Sequence, residues 1–378
     1  MTTRLADIAA HAGVSEATVS RVLNGKPGVS PSTRQAVLTA LDVLGYERPA
    51  RLRQQRAGLI GLIIPELTNP IFPAFAEVIE SALARHGYMA VLCSQAPGGV
   101  AEDDYIEMLL ERGVAGIIFV NGLHANARSD RARYVRLIEQ ALPVVLVNGY
   151  RPDIDAPFIS NDDVASLEAI VGHLAAMGHR QIGLAIGQDV YVPTRRKTEG
   201  FQRAMAAHTG LPADEVDSLV VNTMYTVEGG QAAAAKLLDA GCTAICGGND
   251  IMALGAIRAA RARGLRVPED VSVTGMDDSL LTAYLDPPLT TIRQAVREMS
   301  MAAVSTVLDE IRGARSPRTE LLFRPELVVR RSTAPVPAKP PLAGRRLPTV
   351  QEGRAGPRPG PRCGCCSHAH SPTECAPL

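Results

Sequence analysis

The sequence has no net charge and no long apolar run. Lys and Arg together number 39, as do Asp and Glu, so the overall charge neither favours nor excludes an anionic partner such as DNA. No uncharged apolar run reaches the length of about 18 residues that a membrane-spanning helix needs. The first residues, MTTRLADIAA, also lack the basic start and apolar centre of a secretory signal. We therefore expect a cytoplasmic protein that does not enter a membrane.

Motifs that carry chemistry in α/β enzymes are missing as well. There is no Gly-x-Ser-x-Gly elbow, no Gly-x-x-x-x-Gly-Lys-Ser/Thr phosphate loop and no Gly-x-Gly-x-x-Gly after a first strand. The histidines at positions 11, 86, 173 and 179 fall on predicted helices without a partnered Cys or Ser motif. We therefore expect no enzymatic activity and no cofactor.

Cysteine is sparse and unevenly placed. Cys93, Cys242 and Cys246 lie in apolar segments, as small buried side chains do in a reducing compartment. The other four lie near the C-terminus with two histidines, at Cys363, Cys365, Cys366, His368, His370 and Cys375. This spacing lacks the usual C-x2–4-C pairs of zinc sites, so we expect no specific metal site. Opportunistic metal binding and no role at all stay open.

A large apolar share is what the sequence does have, at 46% of 378 residues, and it suffices for more than one hydrophobic core. The first part, residues 1–56, holds eight Lys or Arg against four Asp or Glu and carries +4. The last part, residues 332–378, is dominated by Pro, Gly, Ala and Arg, and we expect it to be disordered. Between these parts lies a predicted core domain, residues 58–331.

The core domain alternates apolar strands with amphipathic helices. Seven segments are predicted to be buried strands of parallel sheets: GLIGLIIP, YMAVLCS, VAGIIFV, LPVVLVN, QIGLAIG, TAICGGN and VSVTGM. Helical segments such as PAFAEVIESALARHG and ASLEAIVGHLAAMGH end at Gly87 and Gly178. This alternation predicts a doubly wound α/β fold, and its length favours two sheets with a cleft between them. We predict one subdomain from residues 58–160 and 290–325 and a second from residues 161–289.

Residues 1–46 are predicted to form three short helices. Gly13 ends the first helix, Ser15 caps the second, and Pro31 begins the third. The inward side chains are predicted to be Leu5, Ile8, Ala9, Ala12, Val14, Val19, Val22, Leu23, Val37, Leu38, Leu41 and Leu44. A helix, a glycine-containing turn and a second helix with an exposed outer side constitute a helix-turn-helix arrangement, which is typical of DNA-binding proteins.

The outer side of the second helix carries small and polar residues and one arginine. Small side chains at its start let the helix enter the major groove, and Arg21 has the fork that contacts guanine there. Ser30, Thr33 and Arg34 would face the phosphate backbone. A plainer interpretation stays open for each residue alone, in which Arg21 is a surface arginine and the serines only cap helices.

The run LADIAAHAGVSEATVSRVLNGKPGVSPSTRQAVLTALDVLGY resembles the headpiece of the lactose-repressor family of bacterial transcription regulators. The resemblance continues through LIGLIIPELTNPIF, HLAAMGHRQIGLAIG, GGNDIMALGAIRAARARGLRVPEDVSVTGMDD and PPLTTIRQ, from about Thr3 to Arg331. It implies an all-α headpiece followed by a core with the fold of periplasmic sugar-binding proteins. A transport protein with that core would carry a signal peptide in place of residues 1–56.

The resemblance also implies partners. It implies a repressor that binds a palindromic double-stranded DNA operator as a homodimer or a dimer of dimers, with a sugar or sugar derivative in the cleft altering DNA affinity. The DNA contacts are then predicted at Thr3, Ser15, Glu16, Ala17, Thr18, Ser20, Arg21, Asn24, Ser30, Thr33, Arg34 and Leu52.

The linker, residues 47–57, departs from the family pattern. In the family, a leucine after the headpiece wedges into the minor groove, which costs unstacking energy but allows further contacts on bent DNA. Leu52 is the isolated large apolar residue here, among four arginines, and is the predicted wedge. The linker is several residues shorter than the family's, so a plain flexible basic linker stays open.

Polar residues follow three predicted strands, where open α/β sheets bind small molecules. They are the pairs Asp162 and Asp163, Asn249 and Asp250, and Asp277 and Asp278. Such side chains suit sugar hydroxyls, but they could equally cap the following helices. Adding the resemblance, which favours Asn69, Phe72, Asn249 and Asp277, we predict effector contacts at Asn69, Phe72, Asp162, Arg196, Lys197, Asn249, Asp250 and Asp277.

One position in this set differs from the family. Lys197 stands where the family commonly has a ligand-binding arginine, with Arg195 and Arg196 beside it. Because lysine is a point donor, the planar bidentate contact of arginine is in doubt. Three successive cations would suit a phosphorylated sugar, or they could be a solvated basic helix start.

Overall fold

A computed structural model describes residues 5–24, 26–44, 58–95 and 98–336, and for Asp42 it describes the backbone alone. The predicted DNA contacts Thr3 and Leu52 lie outside these residues, as do most of the predicted tail and its Cys and His cluster. The described residues form a three-helix headpiece and an α/β core with two sheets. The predicted fold class is confirmed.

Three helices make up the headpiece: α1 (Leu5–Ala12), α2 (Glu16–Leu23) and α3 (Pro31–Val43). Gly13 has a φ of +65°, which favours glycine, and it ends α1 as predicted. The buried core is formed by Ile8, Ala9, Val19, Val22, Val37, Ala40 and Leu41. The predicted inward positions of Leu5 and Leu44 are wrong, since these side chains are 40% and 37% exposed. Both lie at helix ends, beyond the three-helix core.

The first subdomain contains a six-stranded sheet in which all described strand pairs are parallel. Its strand order is β2, β1, β3, β4, β5, β11, with bounds Gly58–Ile64 for β1, Tyr88–Ser94 for β2, Gly116–Val120 for β3, Val144–Val147 for β4, Phe158–Asn161 for β5 and Glu320–Phe323 for β11. Its helices are α4 (Ile71–Arg85), α5 (Glu102–Glu111), α6 (Ala132–Glu139) and α12 (Val296–Ile311). Separate apolar clusters cover the two faces of the sheet, which is why β3 and β4 are continuous apolar runs.

The second subdomain contains another six-stranded sheet, ordered β7, β6, β8, β9, β10, β12. The bounds are Ile182–Ile186 for β6, Val220–Asn222 for β7, Ala244–Gly247 for β8, Ser272–Asp277 for β9, Thr290–Arg293 for β10 and Glu326–Val328 for β12. Its helices are α7 (Asp163–Ala176), α8 (Val192–Thr209), α9 (Ala213–Ser218), α10 (Val227–Asp239) and α11 (Asp250–Ala262). The strands are parallel except for β12, which runs antiparallel to β10.

The chain passes between the subdomains three times. It leaves the first sheet after β5, returns between β10 and α12, and leaves again between β11 and β12. The predicted boundary at residue 290 is therefore corrected, because β10 pairs with β9 in the second sheet. The return to the first subdomain comes only at α12, which packs against α4.

The segment after β12 is a second correction. Residues 332–336 belong to the predicted disordered tail, yet Ser332 is fully buried against the second sheet. Its Oγ accepts a hydrogen bond from the Thr290 N–H at 2.8 Å and donates one to the Val273 carbonyl oxygen at 2.5 Å. Ser332 is thus held against the sheet by two buried hydrogen bonds, which composition does not reveal.

Candidate functional site

Helix α2 packs against the headpiece core on one side and is exposed to solvent on the other. Val19 and Val22 are fully buried in the headpiece core, whereas Glu16 and Ala17 are exposed. Ser15 is the N-cap, and its Oγ accepts a hydrogen bond from the Thr18 N–H at 3.2 Å. The sequence folds this way because the apolar residues recur at helical spacing and the serine satisfies a free N–H at the helix start.

Arg21 and Asn24 are partly engaged by the protein itself. Nη2 of Arg21 donates to the Pro27 carbonyl oxygen at 3.0 Å, and Nδ2 of Asn24 donates to the Ser20 carbonyl oxygen at 2.8 Å. A guanidinium carries several N–H donors in a planar fork, so the bond to Pro27 leaves others for a ligand. The bond therefore orients the exposed Arg21 side chain without occupying it.

The start of α3 carries the residues expected to face phosphate. Oγ of Ser30 accepts a hydrogen bond from the Thr33 N–H at 3.1 Å and donates one to Oγ1 of Thr33 at 2.8 Å. Ser30 thus stabilises the start of α3. Its side chain is exposed, whereas Thr33 and Arg34 are half-buried. The predicted phosphate contacts of these three residues stay predictions.

A cleft of about 400 Å³ lies between the two subdomains. Residues from both sides line it, among them Asn69 and Phe72 at the start of α4 and Asn249 and Asp277 after β8 and at the end of β9. The aromatic lining residues are Phe72, Phe75, Tyr191 and Tyr225. A Cβ at Gly187 would lie 1.9 Å from the Tyr225 ring, so only glycine leaves room for that ring. The cleft combines flat apolar surfaces with polar groups, as sugar sites require.

Lys197 is the buried cation of the cleft. Its Nζ donates to the Gly248 carbonyl oxygen at 3.2 Å and lies 3.9 Å from Oδ1 of Asp163. Asp277, on the same cleft wall as Gly248, is also buried, and its Oδ1 accepts a hydrogen bond from Nε2 of Gln294 at 2.6 Å. Lys197 thus lies at ion-pair distance from one lining carboxylate, that of Asp163.

The charges in the cleft influence each other. Burial raises the pKa of the Asp163 carboxyl to about 6 and that of Asp277 to about 6, although Lys197 opposes both changes. Burial alone would lower the pKa of Lys197, but Tyr225 and the neighbouring carboxylates raise it overall. Lys197 is therefore charged at neutral pH and acts as the counter-ion of these carboxylates.

Three predicted effector residues lie away from the cleft lining, and each is engaged elsewhere. Asp162 caps α7, accepting a hydrogen bond from the Ala165 N–H at 3.0 Å. Asp250 is a buried acceptor for the N–H and Oγ of Ser279 and for Oγ1 of Thr291. Arg196 pairs with Glu320. Effector contacts at Asp162, Arg196 and Asp250 stay predictions, but none of these three residues lines the cleft.

Helix capping accounts for some of the polar pairs, as the alternative interpretation held. Oδ1 of Asn249 accepts a hydrogen bond from the Met252 N–H at 2.8 Å while the residue also lines the cleft. Asp278 faces away and forms ion pairs with Arg293 and Arg330, which lower the pKa of its carboxyl overall despite burial. At least one member of each pair thus supports the fold, and in the pair Asn249 and Asp250 both do.

Several lining residues were not considered in the sequence analysis: Asn121, Asn148, Tyr191, Tyr225 and Gln294. Asp163 was considered as one of a pair, but it was not among the predicted contacts. Asn148 closes the predicted strand LPVVLVN, and its position at a strand end could have identified it. Asp163 lies beside the predicted Asp162. The aromatic residues lie in loops and carry no periodic signal.

Among the described residues, no group of three or more His, Cys, Asp or Glu side chains is placed to hold a metal ion. No helix in the described part of the chain has the length and apolarity to cross a membrane.

Two family profiles match the chain. The one described as "Bacterial regulatory proteins, lacI family" matches residues 4–49, and the one described as "Periplasmic binding protein-like domain" matches residues 171–333. The chain is also 60% identical over 340 residues to the HTH-type transcriptional regulator MalR of Streptomyces coelicolor. That alignment covers 90% of this chain and 99% of MalR.

Two solved structures of transcriptional regulators are similar to this chain. A transcriptional regulator CelR–cellobiose complex has a TM-score of 0.66 at 29% identity, with 87% of this chain and 99% of the other covered. The lac repressor dimer bound to operator and the anti-inducer ONPF has a TM-score of 0.63 at 28% identity, with 88% and 100% covered. The similarity extends over the headpiece and the core of both proteins.

Proposed function

Because the chain belongs to the LacI family of bacterial regulatory proteins, we propose that it is a repressor whose dimer binds a palindromic operator under the control of a small-molecule effector. It is a transcriptional regulator that binds DNA, and its relatives are regulators, not enzymes. The observation that carries the proposal is the exposed outer face of α2 above a closed three-helix core. We place its action in the cytoplasm, where bacterial operators lie.

A neutral sugar is the effector that the charges of the cleft favour. The lining carboxylates Asp163 and Asp277 already use Lys197 as their counter-ion, and Arg196 is paired with Glu320. A phosphate group would therefore meet the carboxylates of Glu66, Asp163 and Asp277 and no free lining cation among the described residues. Hydroxyl groups, in contrast, donate hydrogen bonds to carboxylates. The charge balance supports a neutral sugar over a phosphorylated one.

The size and walls of the cleft favour more than one sugar ring. A volume of about 400 Å³ lies within the range of sites for drug-sized ligands. Phe72 belongs to the first subdomain and Tyr191 and Tyr225 belong to the second, so flat aromatic surfaces lie on both sides of the cleft. We therefore propose a disaccharide or a short oligosaccharide.

Operator selection tests the DNA-binding part of the proposal. The purified full chain is used to select sites from random double-stranded DNA, and the selected sites are measured by gel shift at fixed salt. We expect a palindrome. Gel shifts with maltose, cellobiose, ribose or glucose 6-phosphate then test the effector: release of DNA indicates induction and tighter binding indicates corepression. Selection of no common palindrome would contradict the proposal.

Sugar affinity should fall in acid. At about pH 7.5 Asp163 and Asp277 are ionised and accept strong hydrogen bonds from hydroxyl groups, whereas below their raised pKa values of about 6 they take up protons. We expect binding of the preferred disaccharide to be about tenfold weaker at about pH 5, measured by calorimetry. Asp163→Asn should flatten this profile. An affinity that is constant over the range would rule out a role of these carboxylates in binding.

The proposed dimer has a candidate surface in the second subdomain. The short 3-10 helix Leu280–Tyr284 exposes three large apolar side chains: Leu280 at 80%, Leu281 at 61% and Tyr284 at 81%. Thr282, in the same helix, is buried, so the helix is held in place while its apolar side faces outwards. A palindromic site requires two headpieces related by a twofold axis, and such dimers use the same patch on both chains. We propose that this patch contacts the same patch on a second copy of the chain.

Charges on this patch should give monomers. The double variant Leu280→Arg with Tyr284→Arg places like charges opposite each other across a twofold interface. We expect light scattering to give the 40.1 kDa mass of one chain for this variant and twice that mass for the parent protein. The control is Leu321→Arg, at a side chain that is 52% exposed on β11, and it should stay dimeric. A dimeric double variant would exclude the patch.

A further inference from the structure

One bidentate ion pair joins the two subdomains beside the cleft. Nη1 of Arg196 lies 2.6 Å from Oε1 of Glu320, and Nη2 lies 2.9 Å from Oε2. Arg196 is in the second turn of α8, in the second subdomain, whereas Glu320 is the first residue of β11, in the first sheet. The pair therefore connects residues that a movement between the subdomains would separate.

The surroundings of the pair make it stronger than a surface contact. The side chains of Arg196 and Glu320 are only 24% and 11% exposed, and the guanidinium carbon lies 5.9 Å from the ring centre of Tyr150, also in the first subdomain. A half-buried, two-pronged pair is screened less by salt than an exposed one. Arg196 thus contacts the first subdomain through an ion pair and an aromatic ring.

Neighbouring arginines of α8 behave differently. Nε of Arg195 donates to the Asp189 carbonyl oxygen, and Arg203 pairs with Glu199, so both bond within the second subdomain. Arg196 also directly precedes Lys197, the counter-ion of the cleft carboxylates. Fixing α8 against β11 therefore also fixes where Lys197 enters the cleft.

We propose that Arg196 and Glu320 are positioning residues, whose ion pair pins α8 to the first sheet and so fixes the arrangement of the two cleft walls. The effect on effector affinity rests on the function proposed above. Without the pin, the two walls adopt a wider range of arrangements, and a ligand that contacts both must restrict them on binding. Neither side chain needs to touch the effector to affect its affinity.

Charge reversal and charge exchange test the pin in the full chain. Arg196→Glu and Glu320→Arg each place like charges together, whereas the double exchange restores an opposite pair. The matched control is Arg203→Glu, the same change at an exposed arginine two turns further along α8. Hydrogen exchange of the Ala127 amide is the readout, because its N–H donates to the Val190 carbonyl oxygen across the subdomains at 2.8 Å. The Ile117 amide, bonded within the first subdomain to the Pro143 carbonyl oxygen, is the internal reference.

We expect each single reversal to speed exchange at Ala127 about tenfold relative to Ile117, and the double exchange to restore it. The Arg203→Glu control should match the parent protein. Unchanged exchange in the single variants, or fast exchange in the double variant, would overturn the proposal. If a single reversal also speeds exchange at Ile117, the variant is destabilised as a whole. The proposal then depends on whether the double exchange restores slow exchange at Ala127.

Titration with maltose and cellobiose separates the two proposals. A sugar that binds the parent protein should bind about tenfold more weakly to the single reversals and normally to the double exchange. If neither sugar binds the parent protein, the proposed effector is wrong. The hydrogen-exchange experiment still tests the role of the Arg196–Glu320 ion pair, because it needs no sugar. If a sugar binds all variants equally, the pin has no effect on the cleft, and its proposed positioning role is wrong.

Discussion

Arg21→Ala is expected to weaken operator binding about 100-fold or more while leaving the headpiece folded. A bidentate arginine contact to guanine contributes about 1–3 kcal/mol of discrimination, and a dimer on a palindrome loses the contact twice. The structural cost should be small, because the exposed side chain gives up one hydrogen bond, to the Pro27 carbonyl oxygen. Gel shifts at fixed salt on the selected operator measure the loss.

Two further variants identify the cause of that loss. Arg21→Lys keeps the charge but not the planar fork, and it should remain well below the parent protein on the operator while binding unrelated DNA nearly as well. Arg203→Ala, the same substitution on an exposed turn of α8, should leave DNA binding unchanged. Full binding by Arg21→Lys would indicate a phosphate contact instead of base recognition.

Lys197→Met should destabilise the core by about 3 kcal/mol at about pH 7.5, because removing one partner leaves buried charges uncompensated. Burial already raises the pKa values of Asp163 and Asp277 to about 6, so the ionised forms cost stability as pH rises from about 4 through 6. Without Lys197 these pKa values rise further, and the cost at neutral pH grows. Lys197 itself stays charged throughout this range because its pKa is raised.

The destabilisation should therefore shrink in acid. Denaturant unfolding at about pH 7.5 and about pH 5 should give a clearly smaller difference between Lys197→Met and the parent protein at the lower pH, where the carboxyls take up protons. Lys236→Met, at an exposed position of α10, is the matched control and should have little effect at either pH. An equal loss at both pH values would indicate that packing, not charge, explains the effect of Lys197.

Much of the fold could be predicted from the sequence because most strands are buried on both faces. Such strands are uninterrupted apolar runs, and β1, β3, β4, β6, β8 and β9 were all identified in this way. The edge strand β12 was not, because it has three residues and none of them is fully buried. The boundary at β10 was misplaced for a related reason, since strand pairing, not composition, decides which sheet a short strand joins.

The candidate site was predictable to the level of strand ends but not of single side chains. In the pair Asp162 and Asp163, the first caps α7 and the second enters the cleft. Cap geometry depends on backbone angles at the helix start, which a sequence pattern does not fix. The ion pair of Arg196 with Glu320 joins residues 124 positions apart, and no local sequence motif predicts it.

The threefold passage of the chain between the subdomains also bears on how such proteins diversify. The headpiece helices occupy one continuous stretch, residues 5–43, so a single genetic exchange can transfer them whole. The two halves of the core are interleaved, and a crossover within residues 58–336 would join part of one sheet to an unrelated partner. The headpiece helices can therefore be exchanged as one piece, whereas the walls of the cleft, which both interleaved halves of the core supply, cannot.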